Sequence, residues 1–208
     1  MKLAEVTVRR RCEREAIRSM RSSVERGDFP AFLTSLEEVR ATGAWGKALL
    51  MIRCLPPPSG TFRERVLSFW SEQSDEFRKE IYAEGGYLLL ANALSVLLPL
   101  YRGAAMRLWR GSTAWGRRRS VYGLAWSRSK SVAEAFARGA ARRYSDGSVL
   151  LETVAPAAAI ICAVPHSDLR DEKEVLVDYR QLTAVRVVAR YHNEALVPGA
   201  AAIVGNGF

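Results

Sequence analysis

A change of texture at Pro99 constrains this chain more than any other feature. Ahead of it, apolar residues recur every three or four positions, the period of a helix; behind it they fall into short β-rich segments broken by Gly, Asp and Ser. Within residues 9–26, Cys12, Ala16, Met20 and Val24 are spaced by four, and Gly27-Asp28 closes the run. Phe32, Leu33, Leu36 and Val39 give a second stripe before Gly43, and residues 45–55 a third. Pro56-Pro57-Pro58-Ser59-Gly60 then breaks the chain. Thr61 with Glu64 reads as a capping box opening one long helix that carries Val66, Phe69, Trp70, Phe77 and Ile81. A last apolar helix covers residues 87–98 and stops at Pro99. None of these helices carries a chemical signature, and their aromatic residues read as core.

After Pro99 the expected order is a short strand at 107–111, a basic loop at 116–120 and a second strand at 122–127. A helix follows, capped by Ser129 or Ser131 and containing Val132, Ala133 and Phe136, which fades near Arg143. Asp146-Gly147 turns the chain into β-rich segments at 149–154, 158–164, 175–178 and 182–191. The class is therefore α+β: a helical region at 1–100, then a mostly β region at 101–208 with one helix inserted early.

Charge is unevenly placed. Of the net +9, residues 101–150 supply all, with 11 Lys or Arg against 2 Asp or Glu, and the remainder sums to zero. A field that concentrated points to a polyanionic partner. The three cysteines, Cys12, Cys54 and Cys162, are odd in number and far apart, which indicates neither a disulfide framework nor a zinc site and points to a reducing compartment. No metal site is read from the sequence. Residues 1–21 are charged throughout with no apolar central run, so no secretory leader is expected and the location reads as cytoplasmic. The most apolar stretch, 87–100, is shorter than the roughly 20 residues that span a bilayer, so it reads as a buried helix and no membrane partner is expected.

The chemistry gathers in the second half. Residues 169–178 begin polar and end in alternating apolar residues, a loop feeding a strand. On a strand, residues two apart share a face, which places the carboxylates of Glu172 and Glu174 side by side. Upstream stand an Arg ending a strand (Trp109-Arg110-Gly111) and an aromatic-flanked Ser strand leading to an Ala-Phe-Ala helix (residues 122–137). In this order the three pieces resemble the NAD-dependent mono-ADP-ribosyltransferases, in the branch with an Arg, a Ser-Thr-Ser strand and a Glu-x-Glu strand that includes the clostridial binary toxins. The resemblance covers residues 106–192.

The resemblance implies an ADP-ribosyltransferase-like mixed β-sandwich at 101–208, with NAD+ as substrate. It makes Glu174 the catalytic carboxylate beside the ribose 2′-hydroxyl, and Glu172 the group that orients or deprotonates the nucleophile. Arg110 would meet the pyrophosphate or its ribose, with Gly111, Tyr122, Trp126 and Ser127 around the dinucleotide. Phe136 would lie against the nicotinamide ring, and Arg138 is a candidate phosphate contact beside its plainer reading as an exposed helix arginine. One departure is plain: the Ser-Thr-Ser falls on Ala125-Trp126-Ser127, so the first hydroxyl, which in the family helps hold the catalytic Glu, is missing.

The acceptor is read from charge. Arg117, Arg118, Arg119, Arg142 and Arg143 exceed what one dinucleotide needs and suit a phosphate backbone, so the leading expectation is transfer to RNA or DNA. A protein arginine is the next acceptor. An NAD glycohydrolase and a catalytically silent nucleic-acid-binding protein are the competing classes. By analogy with the family, the role would be a bacterial or phage toxin or defence effector, with an antitoxin or immunity protein as possible partner.

Overall fold

A computed structural model of the chain describes residues 3–73, 75–84, 86–164 and 173–192. The expected helical region consists of α1 (Leu3–Arg26), α2 (Phe29–Thr42), α3 (Trp45–Ile52), α4 (Gly60–Gln73), α5 (Asp75–Glu84) and α6 (Gly86–Leu97). Its stripes face one another as the spacing requires: Met20, Val24, Phe32, Val39, Trp45 and Ala48 are all buried. Asp28 caps α2 through Ala31 N–H, and Gly43 ends it at a φ of 64°, a left-handed value that glycine adopts without strain.

Two local expectations give way. The cap of α4 is Ser59, whose Oγ accepts from Phe62 N–H at 3.4 Å and whose carbonyl accepts from Arg63 N–H; Thr61 already lies inside the helix. The long helix expected from Thr61 through Ile81 is two helices, α4 and α5. The ring centroids of Phe69 and Phe77 stand 5.7 Å apart. Eight residues of straight helix would separate them by about 12 Å along the axis, so the chain has to bend between them. The bend also brings Phe77 edge-on to Trp45 at 6.0 Å.

The second half supplies β1 (Met106–Thr113), α7 (Ala114–Arg118), β2 (Ala125–Ser127), α8 (Lys130–Arg143), β3 (Ser148–Ala155), β4 (Ile160–Ala163), β5 (Glu174–Val177) and β6 (Val185–Tyr191). The fold is α+β. Among the described residues the strands form one sheet in the order β4-β5-β2-β1-β3-β6, and every pairing is antiparallel. This differs from a mixed β-sandwich. The difference has a local origin: β1 meets β3 over eight residue pairs but meets β2 only at Trp109–Ser127. Two three-stranded units are thus joined at one point. The strand expected at 122–127 is short because Gly123 sits at a φ of 71° and interrupts the extended run. The basic loop expected at 116–120 is largely the short helix α7, capped by Thr113 Oγ1 on Gly116 N–H at 3.0 Å.

Position 100 is a change of secondary structure but not a boundary in the core. The apolar cluster of the helices continues into Leu124, Ile161, Cys162, Val164 and Leu176 of the second half. A second cluster, around Leu108, Trp126, Leu151, Val175 and Val177, uses the alternate residues of the same strands. The helix α8 lies close over β1: a Cβ added at Gly111 would stand 2.4 Å from Ala137 N and 2.7 Å from the Ala133 carbonyl oxygen.

Asp178 anchors the turn after β5. Burial pushes its carboxyl up, but donors from Arg180 (Nε to Oδ1 and Nη2 to Oδ2, both 2.7 Å) and Gln181 outweigh that and hold it below the ordinary carboxylate value. A group with a depressed folded pKa contributes stability above its unfolded pKa and loses it as the pH falls through the folded one. Asp178→Asn should therefore cost about 2 kcal/mol at neutral pH and progressively less below about pH 4. Urea midpoints at pH 7 and pH 3 check this, and an equal loss at both would refute it.

Candidate active site

The register assembles the site. Across β5, β2, β1, β3 and β6 the partners Glu174, Ser127, Trp109, Glu152 and Arg186 form one continuous row, so these five side chains share a face. Glu152 is spent on structure: Arg186 Nε donates to Oε2 at 2.7 Å, and Arg107 stands 3.7 Å from Oε1. Glu174 is held from outside the sheet. Arg78 of α5 donates Nη1 to Oε1 and Nη2 to Oε2, both at 3.2 Å, and both side chains are largely buried. A second bond from Arg78 Nη2 to the Trp70 carbonyl at 2.9 Å, and the Trp70 ring 4.4 Å beneath the guanidinium, fix the arginine in turn.

Where β1 and β2 part beyond their single pairing, a cleft of about 980 Å³ opens. Glu174, Ser127, Trp109 and Arg110 line one part of it, with Arg78, Tyr82 and Tyr87 from the helices; Trp115, Phe136, Arg143 and Tyr144 lie along the rest. Arg110 enters as a half-buried cation. Its Nη1 donates to the Ala125 carbonyl, while Nε is buried with no partner among the described residues. Burial lowers its pKa, partly offset by Tyr87, Tyr82 and Glu174. Burial likewise pushes the Tyr82 hydroxyl up to about 12 and the Cys162 thiol up to about 11, so both remain protonated at neutral pH.

Comparisons of the chain with family models, with curated proteins and with solved structures find no match.

The sequence-derived residues divide on inspection. Glu174, Arg110, Gly111, Ser127 and Phe136 come together at the cleft. Tyr122 and Trp126 reach its wall but are core residues, packed edge to face at 6.3 Å. Glu172 lies outside the described residues. The alternation used to pair it with Glu174 requires an extended residue between them, and Lys173 instead has a φ of 48°. Arg138 does not line the cleft; it is bonded to Glu134 at 2.7 Å and stacked 4.8 Å from the Tyr191 ring, and the spacing of four along α8 explains the pair, in keeping with the plainer reading as an exposed helix arginine. Arg118 pairs with Asp146 at 2.5 Å, and Arg119 lies 4.9 Å over the Trp115 ring. Arg117 keeps a buried Nε with no partner among the described residues, and Arg142 and Arg143 are exposed at the end of α8.

Several cleft residues escaped the sequence reading: Arg78, Tyr82 and Tyr87 from the helices, and Trp115 and Tyr144 from the rim. The two rim aromatics are half exposed, each at 52 %, as is Phe136 at 51 %. Their placement in a stretch rich in arginine was a signal that sequence could have used.

Proposed function

We propose that the chain is an NAD-dependent mono-ADP-ribosyltransferase on an ADP-ribosyltransferase-like fold, with nucleic acid as acceptor. The observation that carries the reading is the arrangement of Glu174, Ser127 and Arg110 around one cleft at the parting of β1 and β2. The cleft is large enough for a dinucleotide. The Nε of Arg110, a buried donor without a partner among the described residues, is one that a pyrophosphate or ribose oxygen would satisfy. NAD+ supplies an activated ribosyl group. The bond between ribose C1′ and nicotinamide breaks, nicotinamide leaves with the electron pair, and the acceptor forms the new bond to C1′ as it loses a proton.

The residues of this chain act on that step through charge and orientation. Glu174, facing the cleft from a sheet strand, accepts from the ribose 2′-hydroxyl and stabilises the oxocarbenium character that develops at C1′. The favourable term grows as positive charge grows, so it lowers the barrier rather than merely tightening binding. Phe136 offers a face to the nicotinamide ring, and Glu172 remains the proposed partner of the nucleophile.

Nucleic acid as acceptor is supported by the rim. Trp115, Phe136 and Tyr144 are half exposed, with Arg119 over the Trp115 ring and Arg143 lining the same cleft. Exposed rings interleaved with arginines suit an unpaired strand, whose bases stack while its phosphates pair. Neutralising Arg117, Arg118 and Arg119 together should reduce the slope of log affinity against log salt by roughly 2 for single-stranded oligonucleotide. Trp115→Ala should weaken that binding by roughly tenfold with the slope unchanged. Filter binding across a salt series reads both, and an unchanged slope in the triple variant removes the polyanion reading.

The deciding assay incubates the protein with adenylate-labelled NAD+ and a bacterial lysate, then divides the product between protease and nuclease. Label released by nuclease alone supports nucleic acid. Label released by protease makes a protein side chain, with arginine first, the acceptor. Free ADP-ribose without labelled macromolecule makes the protein an NAD glycohydrolase, and intact NAD+ makes it a silent binder. The setting we propose is cytoplasmic, where free thiols such as Cys12 and Cys54 persist, and the role a toxin or defence effector with a cognate inhibitor as partner.

A further inference from the structure

We infer that Arg78 of the helical region is a positioning residue for Glu174, supplying the hold that the missing hydroxyl at position 125 does not. The inference rests on the transferase reading above and gives the helical region a part in the site. Ala125 carries no hydroxyl and is the register partner of Leu176, two pairs from Ser127–Glu174 and on the same face of the sheet. The Glu174 carboxylate is nearly buried, and a buried carboxylate without partners is costly. Arg78 meets it with a two-pronged fork, both bonds at 3.2 Å, and is itself braced by the Trp70 carbonyl and ring.

A rigid guanidinium fixes both the plane and the direction of a carboxylate, which a single hydroxyl cannot do. It leaves acceptor capacity as well. Each carboxylate oxygen has two lone-pair sites and the fork takes one from each, at distances longer than the usual charge-assisted 2.7–2.9 Å. A ribose hydroxyl can therefore bind without displacing Arg78. Among the described residues, the other titratable groups that interact with Glu174 are Arg110 from β1, Tyr82 from α5 and Cys162 from β4. Tyr82 and Cys162 stay neutral, so among the described residues Arg78 and Arg110 are the cations around it. Arg110 bonds the Ala125 carbonyl, whereas Arg78 is bonded to the carboxylate itself.

The test uses Arg78→Gln, Arg78→Lys, Glu174→Gln and the double variant Arg78→Gln/Glu174→Gln in the full chain. In Arg78→Gln, kcat for NAD+ turnover should fall by roughly 10–100-fold, as expected when a reacting group is misaligned by about 1 Å, with KM for NAD+ little changed. Arg78→Lys should recover part of the loss, because it restores the charge but not the fork. The melting midpoint should fall by roughly 10 °C in Arg78→Gln, and by less than half as much when the same change is made in Glu174→Gln.

A rise in KM with kcat preserved would place Arg78 on the dinucleotide itself and overturn the inference. Faster turnover in Arg78→Gln would make the contact an inhibitory latch and also overturn it. An equal loss of melting midpoint in both backgrounds would show that Arg78 does not act through Glu174. If the wild-type protein turns over no NAD+ but the melting cycle shows the coupling, the transferase reading fails while the pairing stands.

Discussion

Glu174→Gln is expected to lower NAD+ turnover by at least about 100-fold, the scale of removing one preorganised charge from a transition state. Glutamine has the shape of glutamate and can still accept from a ribose hydroxyl through its carbonyl oxygen. It lacks the negative charge that opposes the growing positive charge at C1′. Binding of NAD+, measured by calorimetry, should therefore change by only a few-fold while the rate collapses. The structure adds a cost. Arg78 donates to both carboxylate oxygens, and one prong would now face an amide NH2. We expect about 2 kcal/mol of lost stability, visible as a lower urea midpoint with an unchanged slope. Retained turnover would remove Glu174 from the catalytic role, whatever happened to stability.

The second large effect is on folding. Gly111→Ala should destabilise the protein by about 3 kcal/mol, near the top of the range for overpacking. The added Cβ would stand within 3 Å of three backbone atoms of α8, belonging to Ala133 and Ala137, and backbone cannot swing aside as a side chain does. Relief requires α8 to move off the sheet, which would also carry Phe136 and Ala140 away from the cleft wall. Gly139 on the same helix is the control. A Cβ there meets nothing within 4 Å, so Gly139→Ala should stabilise by about 0.5–1 kcal/mol through helix propensity. Opposite signs for two glycine-to-alanine changes in neighbouring elements are read from thermal melts. A Gly111→Ala midpoint equal to wild type would mean that β1 and α8 are not packed as described.

What local sequence dictates was legible. The spacing of Cys12, Ala16, Met20 and Val24 gave α1, Gly43 marked the end of α2, and Ser129 proved to be one of the two hydroxyls offered as the cap of α8. The positions of β1, β3 and β6 follow from alternation and turn residues. Each of these depends on residues within a few positions of one another, where backbone sterics and hydrogen bonds act directly.

Other features have no local cause. The bend between α4 and α5 answers to Trp45 and Phe69, against which Phe77 packs. The shortness of β2 depends on a left-handed glycine, which is readable as Gly but not as a strand end until its φ is known. Arg138 and Phe136 stand two apart on α8, yet only one reaches the cleft, because 200° of rotation separates them on a helix.

The clearest case is the pair formed by Arg78 and Glu174, 96 residues apart. Periodicity marked Phe77 and Ile81 as a core face and assigned Arg78 no role; nothing within a few residues of either partner refers to the other. The chain's own order of residues dictated the elements, the concentration of positive charge in 101–150, and Glu174 and Arg110 as the residues to watch. Which cation meets the carboxylate was decided by the docking of α5 against the sheet, since burial of both side chains strengthens the attraction between charges that the fold brings together.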